Sequence, residues 1–562
     1  MLTTSNEKIL SKLIAFGAAF TTVFLISGSV SDPVNVPKFV SLGVVSLAAI
    51  GMVISSSPFQ ILKAYKVIWV LGILFIIFGL VSLVKTESPL SQALYGSYGR
   101  NNGLLTYVFL VFILLAVAAF TRRESFTRLL NAFFVAGIIN VVYCLWAISF
   151  GDFIGWNNPY GEILGTFGNP NFIGAFLGMF FAAYFGYAIS PESKRYFRYS
   201  AIVVLPVVAF EIVESHAIQG RVVGAAGIAI VGFFYLRSKF KPLVTSIYAL
   251  SCSIAGAFAL LGALQIGPLT SLIYKPSVSF RGQYWLAGWN TGQAHPFTGV
   301  GMDAFGDWYR RSRDIQALER PGVNIATNAV HNVPLDMFAF GGWPLFLTYL
   351  AIMGFGAWSL FKIIQRTKTY DPILVVLTTT WVGYQLQSII SINQIGLAIW
   401  GWILTGAVIA YERTTRIQEE GNHSEKRRSA RQANPDVKVG LAGFATGLLG
   451  LMLALPPLVS DSNWQSAQES RTVDKVEATM ISSYFNPQNS MRYITNIQLL
   501  ENSNLPDLAR KYALEAVQWN PESYDLWKLL YLLRNSTPEE KSKAVDNLKR
   551  LDPLNPDVTA TQ

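Results

Sequence analysis

The sequence predicts an all-α protein: a polytopic bundle of membrane helices with a long extracytoplasmic loop and a C-terminal domain of helical repeats. Three observations favour this fold. Of the 562 residues 52% are hydrophobic, only 14% are charged, and long apolar runs recur along the chain. Soluble proteins carry roughly 25% charged residues. Because an open sheet leaves backbone polar groups unpaired in lipid, we expect the spans to be helices.

Each predicted span is an apolar run of about 20 residues, the length that a helix needs to cross about 30 Å of hydrocarbon. The first run exceeds the apolar core of a signal peptide, usually about 7 to 15 residues, and is expected to be a retained helix. We expect about thirteen spans, at 10–30, 36–56, 66–84, 103–121, 128–150, 170–189, 199–215, 221–236, 243–265, 337–361, 372–391, 395–412 and 438–459.

The distribution of Lys and Arg predicts the orientation, since these residues stay on the cytoplasmic side of short loops. With the N-terminus inside, the short outer loops hold only Lys38, Lys85, Arg100 and Arg221. The expected location is therefore the cytoplasmic (inner) membrane, with the long loop and the C-terminal domain outside. The tail after Ser460 has about 11 basic and 14 acidic residues, so the net charge of +10 comes from the inner loops. It implies no nucleic-acid partner.

Polar intervals divide the chain into six parts. These are an N-terminal bundle of about nine helices at 1–265, the outer loop at 266–336, spans ten to twelve at 337–412, a cytoplasmic linker at 413–437, the thirteenth span at 438–459 and the repeat domain at 464–562. Within the linker, residues 419–434 are polar and expected to be disordered.

An Asn-Pro or Asp-Pro dipeptide recurs at regular intervals in the tail. Asn486-Pro487 and Asn520-Pro521 lie 34 residues apart, and Asp552-Pro553 follows 32 residues later. This period is similar to that of tetratricopeptide repeats, although only about two are visible, fewer than usually stand alone. We expect a small helical domain that leans on the membrane part or on a protein partner.

The outer loop is the long polar interval in which we expect chemistry. A loop facing away from cytoplasmic nucleotides would use a lipid donor that carries its activated group across the membrane. Arg100, Arg221 and Arg281 fall on this side, and guanidinium groups form bidentate hydrogen bonds to phosphate oxygens. A diphosphate group is therefore a suitable ligand for these three arginines. The alternative for Arg100 and Arg221 is snorkelling to the membrane interface.

Four histidines occur in the chain. His331 lies at the outer mouth of a span beside Asn332, and an imidazole is well suited to take a proton from a hydroxyl at neutral pH. A helix cap is the alternative for this pair. Four arginines interleave with acids in the loop and are expected to form surface salt bridges or to contact headgroups: Arg310, Arg311, Arg313 and Arg320. No metal-ligand spacing stands out, so neither a metal nor a cofactor is expected.

Several motifs together resemble the O-antigen ligase and polymerase family over roughly residues 10 to 412. They are Gly99-Arg100 with Gly103, Gly165 to Asn171, Arg281 with Trp285, Pro296 to Gly301, and His331-Asn332 with Gly341-Gly342. The resemblance implies a metal-independent, inverting glycosyltransferase of the GT-C type that uses an undecaprenyl-diphosphate glycan as donor.

The resemblance also implies roles for particular residues. Arg281 matches the diphosphate-binding Arg of the family and His331 its essential His, proposed to activate the acceptor hydroxyl. Arg221 matches the Arg that opens the eighth span, although relatives often read Ser-Arg-Gly where this chain reads Gln219-Gly220-Arg221. We further expect substrate contacts from Arg100, Asn332, Tyr284 and Trp285.

The sequence leaves several functions open. Within the family the acceptor is a lipid A core sugar, another lipid-linked glycan, or a protein hydroxyl, which distinguishes a ligase from a polymerase and an oligosaccharyltransferase. Two other classes are a lipid-glycan flippase or exporter, and an assembly scaffold that recruits a protein partner through its repeats. Transporters usually show internal repeats with helices broken at mid-membrane, whereas the polar groups here gather at one face.

Overall fold

The structure is a computed structural model that describes residues 2–56, 66–156, 158–268, 270–273, 276–421 and 436–559. These residues form helices and connecting loops, with no β-strand among them. Eleven of the described helices are long and apolar enough to cross a membrane. The predicted all-α polytopic membrane bundle is thereby confirmed. The count of about thirteen spans stays a prediction, since the helices Thr4–Val23 and Leu104–Ala118 fall outside the eleven.

The membrane part and its outer loop are built from fifteen labelled helices. In chain order they are α1 Thr4–Val23, α2 Asn35–Ser56, α3 Lys66–Lys85, α4 Leu90–Tyr95, α5 Leu104–Ala118, α6 Arg123–Phe150, α7 Pro170–Ala188, α8 Arg195–Glu214, α9 Ile218–Lys239, α10 Pro242–Ala263, α11 Pro276–Ala294, α12 Phe305–Ser312, α13 Val333–Arg366, α14 Pro372–Ile390 and α15 Ile395–Gly421.

The rest of the described chain belongs to the C-terminal domain and the helix that carries it. These helices are α16 Val437–Ser470, α17 Val473–Met480, α18 Ser490–Asn502, α19 Pro506–Trp519, α20 Tyr524–Leu532, α21 Pro538–Leu551 and α22 Pro556–Thr559. Helix α21 begins with a capping box between Thr537 and Glu540, which satisfies two backbone donors at once. Successive helices pack on one another around a separate core that includes Ile497, Ala513 and Trp527.

Glycines let several spans approach closely, as is usual in membranes where small residues permit backbone contact. A Cβ added at Gly450 of α16 would come within 2.3 Å of the Gly43 carbonyl oxygen in α2, and one at Gly178 of α7 within 2.5 Å of the Gly220 carbonyl oxygen in α9. The second contact fixes the start of α9 beside α7. Helix α10 is different, because only 6% of its most apolar 18-residue stretch is buried against the rest of the protein. It therefore faces lipid.

The structure differs from the predictions for two loops. Lys38, predicted in a short outer loop, lies within α2 and is fully buried. Its Nζ donates to the carbonyl oxygens of Thr22 at 2.7 Å and Phe24 at 3.0 Å, which caps the end of α1. In the predicted linker, α15 continues to Gly421. The segment 419–434, expected to be disordered, otherwise lies outside the described residues.

Helix α13 is interrupted near its start. Gly341 and Gly342 leave helical geometry, and Gly342 has a φ of 64°, a conformation that glycine adopts without steric cost. The turn at 296–301 fills the interruption. The Val300 amide donates to Ala339 O at 2.9 Å, the Gly301 amide donates to Phe340 O at 3.1 Å, and Pro296 O accepts from the Trp343 amide at 2.7 Å. Backbone groups freed by the break are therefore satisfied within the protein.

Candidate functional site

Arg100 lies in a tight loop between α4 and α5. Gly96 begins this loop with a φ of 89°, and a Cβ there would lie 2.4 Å from the Asn102 amide nitrogen. The loop is attached to the outer loop through Asp303: the Ser97 amide donates to Asp303 Oδ2 at 2.7 Å, and the Ser97 hydroxyl donates to the Asp303 carbonyl at 2.9 Å. Arg100 is thereby held against the polar interval in which chemistry was expected.

Arg281 lies on α11, and its guanidinium reaches the start of α9. With the Gln219 amide oriented to satisfy both of its ends, its oxygen accepts from Arg281 Nη2 at 3.3 Å and its nitrogen donates to the Asn171 carbonyl at 3.1 Å. Gln219 thus joins α11 to the beginning of α7. The motif around Asn169-Pro170-Asn171, which the family resemblance included, is part of this corner.

His331 directly precedes the cap of α13 and has a positive φ of 59°. Asn332 accepts the Leu335 amide at 3.0 Å, and Asp336 accepts the Val330 amide at 2.9 Å. These two bonds fix the backbone on both sides of the histidine. The predicted alternative of a helix cap is confirmed for Asn332; its predicted contact with substrate stays a prediction.

Two aromatic residues of α11 hold His331 in place. Tyr284 stacks on the imidazole with 5.5 Å between ring centroids and 29° between planes. Trp285 Nε1 donates to the His331 carbonyl oxygen at 3.3 Å. Tyr284 is 9% exposed, so its ring is largely occupied by these contacts. Both residues were expected to contact substrate, and the structure shows them next to the histidine.

The electrostatics of the site favour a neutral histidine. Burial, together with the positive charges of Arg100 and Arg281, lowers the pKa of His331 to about 3. Both guanidiniums are near enough to the imidazole to act on its protonation. Burial raises the pKa of Asp303 to about 6, although Arg100 opposes this shift. The imidazole is therefore available as a proton acceptor throughout the neutral range.

The two site arginines have no carboxylate partner in direct contact. Within the described residues no ion pair involves Arg100 or Arg281, and Arg100 Nη1 is buried without a hydrogen-bond partner. Buried polar groups are normally paired, but Arg311 Nε and Arg313 Nε are also buried without a hydrogen-bond partner. The lack of an ion pair among the described residues is therefore what distinguishes Arg100 and Arg281 and leaves their charge available to an anion. This geometry can bind phosphate oxygens beside a proton acceptor.

Arg221 does not join this cluster. It is exposed at the start of α9, and Gln219, two residues earlier, is the side chain that reaches Arg281. Positions two apart on a helix point about 200° apart, since each residue advances about 100°. Among the described residues no ion pair involves Arg221. The predicted role of Arg221 in donor binding stays a prediction.

The prediction for the loop arginines was wrong for three of them. Arg310, Arg311 and Arg313 do not form surface salt bridges but bind the C-terminal domain. Asp552 accepts from Arg313 Nη2 at 2.7 Å and from Arg310 Nη1 at 3.1 Å. Glu522 accepts from Arg311 Nη1 at 2.5 Å. Arg313 and Asp552 are completely buried. Sequence spacing paired these arginines with nearby acids because it carries no information on contacts 200 residues away.

The contact with the C-terminal domain leads back to His331. Asp307 of α12 accepts from Asn520 Nδ2 and Gln92 Nε2, both at 3.1 Å. From the same helix, Tyr309 packs edge-on against Tyr284 with 5.7 Å between centroids, and Tyr284 covers the imidazole. The two later Pro-containing turns of the repeat pattern therefore lie against the loop helix that supports the site. The regular spacing of these turns is the sequence feature that could have drawn attention to this contact.

Other residues of the site escaped prediction. Asp303 and Gln219 each join two segments of the site, yet Asp303 was read as one of several loop acids and Gln219 as a departure from the family motif. Their partners are remote in sequence, so spacing could not reveal them. Among the described residues no cluster of His, Cys, Asp or Glu has the arrangement of a metal site.

The fold defines the class of all-α polytopic membrane proteins, with His331, Arg100 and Arg281 near one another in the described residues. Residues 173–350 match the family model described as O-antigen ligase. Within these residues the match confirms the resemblance to the O-antigen ligase family and supports a membrane glycosyltransferase of ligase or polymerase type. A comparison with curated proteins found no match.

The matched region contains part of the site only. Arg281, His331 and Gln219 fall inside 173–350, whereas Arg100 and the C-terminal domain fall outside. The likeness of the tail to tetratricopeptide repeats stays a prediction. The contacts of the Arg100 loop and of Asp552 therefore rest on the structure alone.

Proposed function

We propose that this protein transfers a glycan from undecaprenyl diphosphate to an acceptor hydroxyl at the outer face of the cytoplasmic membrane. Two observations carry the proposal. The charges of Arg100 and Arg281, from two other segments of the chain, act on His331 and help to lower its pKa, and Tyr284, three residues after Arg281, stacks on the imidazole. Guanidiniums make charge-assisted bidentate hydrogen bonds to phosphate oxygens, and a neutral imidazole accepts a proton. Both halves of a transfer reaction are thus provided in one place.

In the proposed reaction His331 removes the proton of the acceptor hydroxyl. The acceptor oxygen then attacks the anomeric carbon from the face opposite the diphosphate, and the bond from that carbon to the diphosphate oxygen breaks with its electron pair. Arg281 and Arg100 offset the negative charge that develops on the leaving diphosphate. Attack from the opposite face inverts the anomeric configuration. These steps need no group beyond the donor and the acceptor.

Donor binding would also activate the base. In the free protein burial, and after it the charges of Arg100 and Arg281, lower the pKa of His331, which makes the imidazole a weak base. A bound diphosphate brings negative charge beside the same arginines, and a nearby negative charge raises the pKa of a histidine. Proton acceptance is therefore linked to occupation of the donor site, so the acceptor hydroxyl is activated when a donor is present.

The structure supports a transferase over a flippase. A transporter would use a broken helix to line a path for its substrate. Here the break in α13 is filled by the turn at 296–301, and Ser82 Oγ donates an additional hydrogen bond of 2.5 Å to Phe340 O. The carbonyls released by the break face protein groups rather than a path through the membrane.

The proposal is tested by replacing His331 with Asn. Asn tolerates the positive φ of this position better than Ala does, so the variant removes the base with little backbone strain. A general base contributes about 10² to 10⁴ in rate, and we expect a loss of that size in transfer from purified lipid-linked glycan. His216, which also has a positive φ and lies outside the cluster, gives the matched control His216→Asn. Turnover by His331→Asn equal to that of the control would remove the imidazole from the mechanism.

A further inference from the structure

A short turn between α17 and α18 exposes an apolar tip beside the last membrane helix. The tip contains Tyr484 and Phe485, which are 51% and 48% exposed, and Ile481 beside them is 65% exposed. The two aromatic rings contact each other edge-on with 5.0 Å between centroids. Large apolar side chains gathered on one exposed surface usually mark a place of contact with a partner or a membrane.

The base of this turn is rigid. Ser483 and Asn486 exchange backbone hydrogen bonds of 3.3 and 3.0 Å. Asn486 Oδ1 accepts from Ser460 Oγ of α16 and from Arg492 Nη1 of α18, both at 2.9 Å, and Asn486 Nδ2 donates to Ile481 O at 2.6 Å. The exposed tip is therefore held in a fixed position by polar bonds to two helices.

A hydrogen bond shows how far the tip reaches along α16. Tyr484 Oη donates to the Met452 carbonyl oxygen at 2.7 Å. In a regular helix this carbonyl would accept the amide of the fourth following residue, which here is Pro456, and proline has no amide hydrogen. The tyrosine satisfies a carbonyl that the proline leaves free. Met452 precedes Ser460 by eight residues, or about 12 Å at 1.5 Å per residue, so Tyr484 lies alongside the spanning part of α16.

The surface of α16 next to the tip faces lipid. Five exposed apolar residues of this helix form a stripe that ends at the tip: Leu441, Phe444, Leu448, Leu449 and Met452. On its other side the tip borders a cleft of about 500 Å³, which Asn463, Ser466 and Lys475 line together with Ile481 and Phe485. Polar and cationic groups thus stand beyond the end of the stripe, as at a membrane interface where aromatic rings concentrate.

We propose that residues 481–485 insert into the outer interface of the lipid bilayer and anchor the C-terminal domain to the membrane. The occupant of this surface is lipid, because the tip continues the lipid-facing stripe of α16 and reaches a carbonyl within the span. Tyr484 and Phe485 carry the apolar contact, while the polar cleft accommodates headgroups. This anchor is independent of the proposed transfer reaction.

The anchor is tested with the full chain in lipid nanodiscs. Cys144 and Cys252 are first replaced by Ala, and single cysteines are introduced as Phe485→Cys, Ile481→Cys and, as a control, Leu532→Cys; each carries an environment-sensitive fluorophore. Leu532 is 63% exposed, similar to Ile481, but belongs to α20. We expect doxyl-labelled lipid to quench the labels at 485 and 481 several-fold more strongly than the label at 532, and aqueous iodide to do the opposite.

The proposal fails if iodide quenches the labels at 485 and 481 as strongly as the label at 532. It also fails if doxyl lipid does not distinguish the three positions. All three substituted side chains are exposed, so the substitutions should not disturb the fold. This is checked by requiring each variant to unfold at the same temperature as the cysteine-free parent. Two labelled positions keep the test decisive if one variant is unstable.

Discussion

Arginines in the outer loop and in the loop between α4 and α5 fall into two groups that differ in their partners. Arg281 of the outer loop and Arg100 of the other loop have no carboxylate in ion-pair contact among the described residues. Arg310, Arg311 and Arg313 are instead matched by Asp552 and Glu522 of the C-terminal domain. Both groups are partly or wholly removed from solvent. The difference teaches that pairing, and not burial, separates arginines that are available for a ligand from arginines that hold the structure together.

The largest expected effect concerns the paired group. Replacing Asp552 with Asn leaves the buried guanidiniums of Arg310 and Arg313 without a countercharge, and breaking a buried pair in this way costs about 3–5 kcal/mol. We expect a clear fall in the unfolding temperature measured in nanodiscs. Arg534→Gln, which removes an exposed partner of Glu501, is the control and should leave that temperature unchanged, because exposed pairs contribute little. Equal unfolding temperatures for both variants would contradict the comparison.

A smaller effect, on activity and not on stability, is expected for the arginines that form no ion pair among the described residues. Replacing Arg281 with Gln removes a charged donor to phosphate, a contribution of about 1.5–3 kcal/mol, so kcat/KM for the donor should fall about tenfold to 100-fold. The unfolding temperature should not fall, since no carboxylate depends on this side chain. Arg281→Lys keeps the charge but loses the bidentate geometry and should lie between wild type and Arg281→Gln. A destabilised Arg281→Gln protein would place Arg281 in the structural group.

The smallest effect is a shift in pH dependence. His331 must be neutral to act, and burial with Arg100 and Arg281 lowers its pKa to about 3. As pH falls from 8 to 5 the imidazole stays neutral, so kcat/KM should show no limb near 6.5, where an ordinary histidine titrates. Removing one positive charge in Arg281→Gln should move the acid limb to higher pH.

A carboxyl also titrates in this range and needs its own control. The pKa of Asp303 is raised to about 6, chiefly by burial, so a limb near pH 6 that disappears in Asp303→Asn belongs to that carboxyl. Asp336 is the other buried carboxyl near Arg100, so a limb near 6.5 that persists in both Asp303→Asn and Asp336→Asn would contradict the neutral, buried histidine.

The sequence predicted the membrane bundle well because its signal is local. Each span is a continuous apolar run, and lipid leaves the backbone little choice except a helix. The same approach counted Lys38 with the outer loops although it falls inside the predicted span 36–56, since a lysine near the edge of a run is assigned to the loop. In the structure its Nζ donates to carbonyl oxygens at the end of α1, a contact between two helices that no single run contains.

The candidate site was predictable only in part. Arg281 and His331 stand in motifs that resemble a family, and the structure brings them together. Gln219 and Asp303 act through partners far away along the chain, and the loop arginines find their acids in the C-terminal domain. Hydrophobic periodicity and residue spacing describe local geometry, so they cannot reveal polar pairs that form after the chain has folded.

The break at Gly341-Gly342 has a mechanical consequence. It separates the short helix that follows His331 from the long segment of α13 that crosses the bilayer, while the turn at 296–301 ties the short helix to the outer loop. A bilayer of different thickness changes the tilt of a span. Because α13 is interrupted at the two glycines, we expect a change of tilt in the long segment to reach the imidazole only in part, and the rate to depend little on acyl-chain length.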